Sequence, residues 1–317
     1  MNSINAMKKE IRYQIDYLSK LELPEQMDLD NCLFIGAGDS YVAALIARYA
    51  SDYKIVCCNP MEIVFNPEII KRNYCRRIYI VSVSGNTQSN ILAAKVARRH
   101  NVSTTAITAK PESRLARNCD NVIELKYKST GIATSGTISF ISSMLCCLSL
   151  VRKIDDLSQL RMIYTQSYNE AKNLSNSTPE RIGSYIFLAD GILFPITKYA
   201  TLKINEVFGL KSFAYPSEEF CHSPLFSLKR NDKIIIFGNK KYKHALSEEL
   251  NNRLTKLGFS SAYIVDCNRL SLTELLLKST LVIQLFVVKQ ALKKGVKDCY
   301  FLKDKNLFKL SSDLIYY

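Results

Sequence analysis

Apolar and polar positions along this chain alternate between the period of a strand and the period of a helix. Arg77-Ile78-Tyr79-Ile80-Val81 has the β-branched, aromatic character of a buried strand, and residues 87–99 (TQSNILAAKVARR) place Ile91, Leu92, Val96 and the alanines on helical faces. A similar unit precedes it: a strand over 32–35, a tight loop over 36–40 and a helix over 41–50. A third follows, with a strand over 103–108 and a helix over 112–118, then a strand over 122–125 and a long apolar helix over 136–151. Beyond these, the pattern predicts a helical stretch over 157–174 and a polar breaker, Ser175-Asn176-Ser177-Thr178-Pro179, read as the connection between domains. A second alternating set then runs through strands at 185–189, 233–237 and 262–265 and helices at 196–208, 242–257 and 280–294. Alternation of this kind predicts an α/β protein of two doubly wound parallel sheets, each an α/β/α sandwich with ligands near the carboxyl ends of its strands. A length of 317 residues fits two domains. They are expected over 1–156, with an N-terminal helix, and 180–317, joined by a helix and linker over 157–179.

Both loops at the first strand ends carry hydroxyls. In Ser82-Val83-Ser84-Gly85-Asn86-Thr87, hydroxyls, a glycine and free N–H groups stand at the start of a helix, where the dipole also favours a bound anion. Asn86 or Thr87 alone would serve as a helix cap. Two serines at i and i+2 followed by Gly and Thr exceed what a cap needs, so the segment reads as a phosphate cradle. Ser40, in Gly36-Ala37-Gly38-Asp39-Ser40, adds a fourth hydroxyl, while Asp39, an anion, suits a sugar hydroxyl or a cap.

Composition narrows the picture. The apolar run at 281–288 is short and contains Gln284, so no membrane span is expected, and the N-terminus lacks a signal peptide's apolar block, which points to the cytoplasm. Ten cysteines form no C-x-x-C pair and read as free core thiols; His100, His222 and His244 are too few for a histidine-rich metal centre. The net charge of +14 raises the question of nucleic acid, but the cations are dispersed in short pairs such as Lys8-Lys9, Arg76-Arg77 and Lys240-Lys241, and no reader module is recognised.

Taken in order, several segments resemble the SIS (sugar isomerase) family of phosphosugar-binding proteins, and within it the two-domain isomerase half of the glutamine:fructose-6-phosphate transaminases. Gly36-Ala37-Gly38-Asp39-Ser40-Tyr41 is similar to the family's Gly-x-x-Ser-Tyr loop, and Ser82 to Thr87 to its Ser-x-Ser-Gly-x-Thr phosphate loop. Gly131-Ile132-Ala133-Thr134-Ser135 resembles Gly-Val-Ala-Ser-Thr, Leu202-Lys203-Ile204-Asn205-Glu206 resembles Leu-Lys-x-Lys-Glu, and Glu219-Phe220-Cys221-His222-Ser223-Pro224 resembles Glu-x-x-His-Gly-Pro. Lys305-Asn306-Leu307-Phe308-Lys309 is similar to the Arg-Asn-Leu-Ala-Lys tail. The resemblance implies two SIS-type domains of flavodoxin-like topology, a phosphosugar ligand, no metal or organic cofactor, and a homodimer in which His222 reaches the neighbouring subunit's site. The chain departs from the pattern at Ser223, which stands for a glycine, and at Asn205, which stands for a lysine. It also has no room for a glutaminase domain, so glutamine hydrolysis is not expected.

Aldose–ketose interconversion moves a proton between C1 and C2 through an enediol and needs the sugar ring opened. Glu206 is the candidate proton carrier and His222 the candidate for ring opening. Lys203, one helical turn before Glu206, either steadies an enediolate or pairs with the acid. Lys309 takes, by resemblance, the role of engaging the open-chain carbonyl. Ser40, Ser82, Ser84 and Thr87 are the candidate phosphate ligands; Gly38, Asp39, Val83, Gly85, Asn86 and Ile132 complete the expected sugar contacts. The expected activity is isomerisation of a hexose 6-phosphate, with or without amination. A deglycase or deaminase, and a non-catalytic sugar-phosphate sensor, remain alternatives; a sensor has no need of Glu206, His222 and a tail lysine together.

Overall fold

The computed structural model describes residues 1–72, 75–239, 245–266 and 270–316. In chain order the elements are α1 (Ser3–Tyr17), β1 (Cys32–Gly36), α2 (Asp39–Ala50), β2 (Val56–Cys58), α3 (Pro60–Phe65), α4 (Glu68–Arg72), β3 (Arg77–Val81), α5 (Gln88–Arg99), β4 (Ser103–Thr108), β5 (Asn121–Glu124) and α6 (Ile138–Val151). There follow α7 (Leu160–Asn176), β6 (Ser184–Ala189), α8 (Phe194–Phe208), β7 (Lys211–Tyr215), α9 (Ser217–Cys221), β8 (Lys233–Asn239), α10 (Ala245–Lys256), β9 (Ser260–Asp266), α11 (Leu272–Lys293), α12 (Tyr300–Lys303) and α13 (Lys305–Tyr316). They form two compact units, each built on one parallel sheet.

The first sheet has the order β2-β1-β3-β4-β5, every pair parallel. This is the flavodoxin-like order, with its switch point between β1 and β3. Strands buried on both faces read as continuous apolar runs, and here Leu33, Ile35, Ile78 and Ile80 pack with Ala93, Ala94 and Ala97 of α5. Phe34 stacks on Tyr79 at 4.9 Å, and α2 lies against α6, an almost wholly buried helix. Gly36 ends β1 where a Cβ would stand 2.7 Å from the Ser40 carbonyl carbon, so the absent side chain lets α2 begin directly over the strand. This unit comprises residues Lys20–Ser129, Ile138–Ile154 and Asp304–Tyr317.

The second sheet repeats the same order with four strands, β7-β6-β8-β9, all parallel. Its unit comprises Met1–Ser19, Thr130–Thr137 and Asp155–Lys303. Ile186, Leu188, Ile234 and Ile236 pack with Phe220, Leu250 and Leu254. The helix α11 starts with a capping box between Ser271 and Glu274 and packs on α1, α7 and α8. Gln14 of α1 donates to Gln284 of α11 at 2.8 Å.

The structure departs from several of these expectations. The helix expected over 112–118 is only a single 3-10 turn, Ala116–Asn118, because Ser113 and Arg117 spend their polar groups on local bonds to Ala116 N–H and the Glu112 carbonyl. The helix expected from 280 begins at Leu272: Glu274 is used in the cap and Lys278 pairs with Glu170 at 2.8 Å, so polar residues that seemed to break the apolar pattern are satisfied. By length and composition the 22-residue α11, with an 18-residue stretch of mean hydropathy 1.6, would suffice to cross a membrane, but 89% of that stretch is buried within the protein, as in a core helix. The helix expected within the connection is present as α7, packed along α11. Strands β2 and β7, too short or too polar to stand out, complete the two sheets. The compact units also differ from the expected boundaries: α1 groups with the second sheet and α13 with the first, since each packs there, α1 on α11 and α13 on α5. His244, the pair Lys240-Lys241 and the start of the helix expected over 242–257 lie outside the described residues.

Candidate active site

In the first-sheet unit, the loops after β1 and β3 leave neighbouring strands, with Gly36 paired to Val81 at the point of departure. They therefore flank the switch point, where an open parallel sheet leaves a crevice. Val83 fixes the second loop: its carbonyl accepts Ala109 N–H at 3.1 Å and Thr108 Oγ1 at 3.2 Å. Gly85, at φ +63°, turns the chain; its N–H donates to the Ser82 carbonyl at 3.0 Å and its carbonyl accepts Leu115 N–H at 2.8 Å. Ser84 Oγ accepts Asn86 N–H at 3.3 Å, and Asn86 Oδ1 accepts Arg114 N–H at 3.5 Å.

Thr87 is the N-cap of α5, but its side chain makes no capping bond. The hydroxyls of Ser40, Ser82 and Thr87 have no hydrogen-bond partner among the described residues, although Ser40 and Ser82 are mostly buried. Gly38 (φ +57°) and Asp39 lead into Ser40 at the start of α2. Lys309 belongs to this same unit, exposed on α13. Arg114, which the sequence did not single out, donates to Gln88 Oε1 at 2.9 Å and to the Tyr316 carbonyl at 3.3 Å, so it ties the start of α5 to the end of α13.

The second-sheet unit holds Glu206, Lys203, His222 and Ile132. Lys203 and Glu206 lie one turn apart on α8, which ends in a left-handed cap at Gly209. Lys203 is fully buried; its ammonium stands 2.8 Å from Glu206 Oε2 and 5.1 Å from the centroid of the Tyr199 ring. Ser135 Oγ donates to the same Oε2, while Oε1 accepts no hydrogen bond from a described residue. The Glu206 side chain is 36% exposed. One oxygen is thus held by a cation and a hydroxyl, and the other is left without a partner among the described residues.

Ile132 sits partly exposed in the same 130–137 segment as Ser135, its N–H on Thr130 Oγ1 at 3.4 Å. His222 is exposed at the end of α9, and its ring has no hydrogen-bond partner among the described residues. Ser223, which replaces the family glycine, starts a 3-10 turn and does not have a positive φ, so the substitution strains nothing. Asn205 Oδ1 accepts Ser212 Oγ at 2.7 Å and ties α8 to β7.

The switch point of the second sheet is arranged differently. There Asp190, after β6, accepts Ser217 N–H at 2.9 Å and Ser247 Oγ at 3.3 Å. A carboxylate already occupies the donors that an anion would use.

The SIS domain profile matches residues 77–152, which include β3, the hydroxyl loop and α6. That stretch of the chain matches a SIS domain. A glutamine–fructose-6-phosphate aminotransferase (isomerizing) of Sulfurisphaera tokodaii is 24% identical to it over 290 residues, 85% of this chain and 47% of that protein. The chain thus spans about half the length of the curated relatives it matches. Among solved structures, the C-terminal domain of glucosamine-fructose-6-phosphate aminotransferase from Francisella tularensis superposes with TM-score 0.70 at 21% identity, covering 92% of this chain and 97% of that one. Glucosamine-6-phosphate deaminase from Thermotoga maritima gives 0.73 at 21% identity, covering 93% and 94%. These likenesses extend the SIS fold to both sheets.

Glu10 is the residue of this site that the sequence reading missed, and Ser135 was quoted there without a role. A Glu on an amphipathic helix reads as solvated, and only the fold shows that Glu10 is buried against the 130–137 segment.

Proposed function

We propose that this protein is a phosphosugar isomerase acting on a hexose 6-phosphate, with the hydroxyl loop gripping the phosphate and Glu206 moving the proton between C1 and C2. The observation that carries the reading is the asymmetric tethering of Glu206. Lys203 and Ser135 hold Oε2, which fixes the carboxylate while Oε1 remains accessible as the base. The three unpartnered hydroxyls of Ser40, Ser82 and Thr87, with Ser84 and the first-turn N–H groups of α5, supply donors for a dianion without a fixed counter-charge. Phosphate binding far from the reacting carbons supplies orientation. The self-satisfied Asp190 of the other sheet supports one phosphate site per chain.

His222 is assigned to ring opening. An exposed imidazole with no internal partner is what a contribution to a neighbouring subunit requires, so the reading includes a cytoplasmic homodimer. Lys309 is assigned to the open-chain carbonyl, and Gly38, Asp39, Val83, Gly85, Asn86 and Ile132 to the sugar and its phosphate.

The test is incubation with fructose 6-phosphate, glucose 6-phosphate and glucosamine 6-phosphate, with and without ammonia, with products followed by chromatography. Glu206→Gln is expected to lower turnover by at least about 100-fold while phosphosugar affinity changes less than about threefold. Undiminished turnover in that variant would remove Glu206 from the mechanism. Release of ammonia from glucosamine 6-phosphate, as the Thermotoga maritima deaminase's name describes, would shift the reaction to deamination by the same residues.

A further inference from the structure

We propose that Glu10 is a positioning residue that aims the proton-transferring carboxylate by clamping the segment that carries Ser135; this rests on the reading of Glu206 as the proton carrier. Glu10, on α1, is 4% exposed and has no ion-pair partner among the described residues. Burying a carboxylate without a cation is costly unless its oxygens are fully hydrogen-bonded. All of its bonds come from one segment. Oε1 accepts Thr130 N–H at 3.0 Å and Thr130 Oγ1 at 2.9 Å; Oε2 accepts Thr134 Oγ1 at 3.1 Å and Thr137 Oγ1 at 2.8 Å.

These anchors bracket Ser135 on both sides. Ser135 is 1% exposed, and its hydroxyl donates to Glu206 Oε2. The segment has no regular secondary structure and turns through Gly131 at φ +73°, so backbone ladders do not hold it. Two further ties come from helices, Tyr199 Oη to the Gly136 carbonyl at 2.7 Å and Gln284 Nε2 to the Thr137 carbonyl at 3.1 Å. Neither reaches the stretch before Gly136, which Glu10 holds at Thr130 and Thr134, while the Ser135 backbone also bonds to the Cys299 thiol. A carboxylate is the side chain that accepts four donors at once, and it thereby orients three hydroxyl protons; an amide at this position can accept on one atom only. The chain of contact runs from Glu10 through the 130–137 backbone to Ser135 and then to Glu206.

The experiment compares the wild type, Glu10→Ala, Glu10→Gln, Ser135→Ala and the double variant Glu10→Ala/Ser135→Ala. Steady-state kinetics on the phosphosugar that the wild type turns over are read beside hydrogen–deuterium exchange of the 130–137 segment. Glu10→Ala is expected to lower kcat about 10- to 100-fold with KM within about threefold, the signature of a misplaced catalytic group. Glu10→Gln, which keeps the shape, should lose less and covers the case in which Glu10→Ala does not fold. Exchange over 130–137 should accelerate in both Glu10 variants. The double variant should be no slower than the slower single one, because Glu10 acts through Ser135. Additive losses, a rise in KM with kcat retained, or unaltered exchange would overturn the proposal while leaving Glu206 as the base. A wild type that turns over no phosphosugar would instead overturn the reading of Glu206, and this proposal with it.

Discussion

Gly85 is where the hydroxyl loop is least tolerant. Its backbone is at φ +63°, and a methyl group built on it would stand 2.0 Å from Ser113 Oγ and 2.3 Å from Ser113 Cβ. A hydroxyl can rotate away, but the Cβ is fixed to the backbone that ends the loop facing it. Gly85→Ala therefore combines left-handed strain with a steric clash, and urea unfolding should show a loss of about 2–4 kcal/mol. Phosphosugar affinity should fall with it, since the same turn sets the Ser82 and Ser84 hydroxyls. A variant with wild-type stability would mean that the loop adopts another path. Ser223 is the opposite case: the sequence comparison with a family glycine suggested a constrained turn, but the position has an ordinary φ, so the family glycine reflects no backbone need in this chain.

At the scale of elements, strands β1, β3, β6 and β8 were legible because strands of a doubly covered parallel sheet are near-continuous apolar runs, whereas β4 is β-branched but rich in hydroxyls. Edge strand β7 (Lys211-Ser212-Phe213-Ala214-Tyr215) was not, since half of its pattern is polar, and α11 was read eight residues short because its satisfied Glu274 and Lys278 look like breakers. The hydroxyl loop, Glu206 and His222 were visible as motifs, whereas Glu10 and the partner of Ser135 depend on tertiary contacts between distant segments. Strand β8 begins with another concealed charge. Lys233 is 1% exposed, with Nζ near Ser260 Oγ at 3.2 Å and the Ser177 carbonyl at 3.4 Å, and burial pulls its pKa down from 10.5 to about 8. Between pH 8 and the unfolded value near 10.4 the unfolded chain binds a proton that the folded chain does not, so this group's contribution to stability rises with pH across that window. Below pH 8 both states are protonated and the full burial cost applies. Lys233→Met should thus stabilise the protein at pH 7 by about 1–3 kcal/mol, with the gain shrinking toward zero by pH 10. A gain independent of pH would show that packing, not charge burial, is responsible.

For the molecule as a whole, buried thiols decide the alkaline limit. Burial raises Cys58 and Cys146 to about 12 and Cys75 and Cys119 to about 11, and pushes Cys57 and Cys147 higher still. They are distributed over β2, α6 and the loops beside β3 and β5, so their protonation is tied to global unfolding of the first-sheet unit. In the unfolded chain each thiol ionises near pH 8.5, while in the folded state it keeps its proton, so the folded form binds more protons and stability falls as pH rises above that value. Each group contributes about 1.4 kcal/mol per pH unit once its unfolded counterpart is ionised. Several such groups together remove a large part of the stability of an ordinary domain within one or two pH units. Lys233 opposes them with one group's worth over the same range and cannot offset the loss. Urea midpoints measured under reducing conditions should therefore be nearly constant from pH 7 to 8 and collapse between pH 9 and 10. Replacing Cys146 and Cys147 by alanine should flatten that slope, because two of the titrating groups are then gone. A midpoint that holds steady to pH 10 in the wild type would mean that the folded protein ionises these thiols without unfolding and would overturn the account.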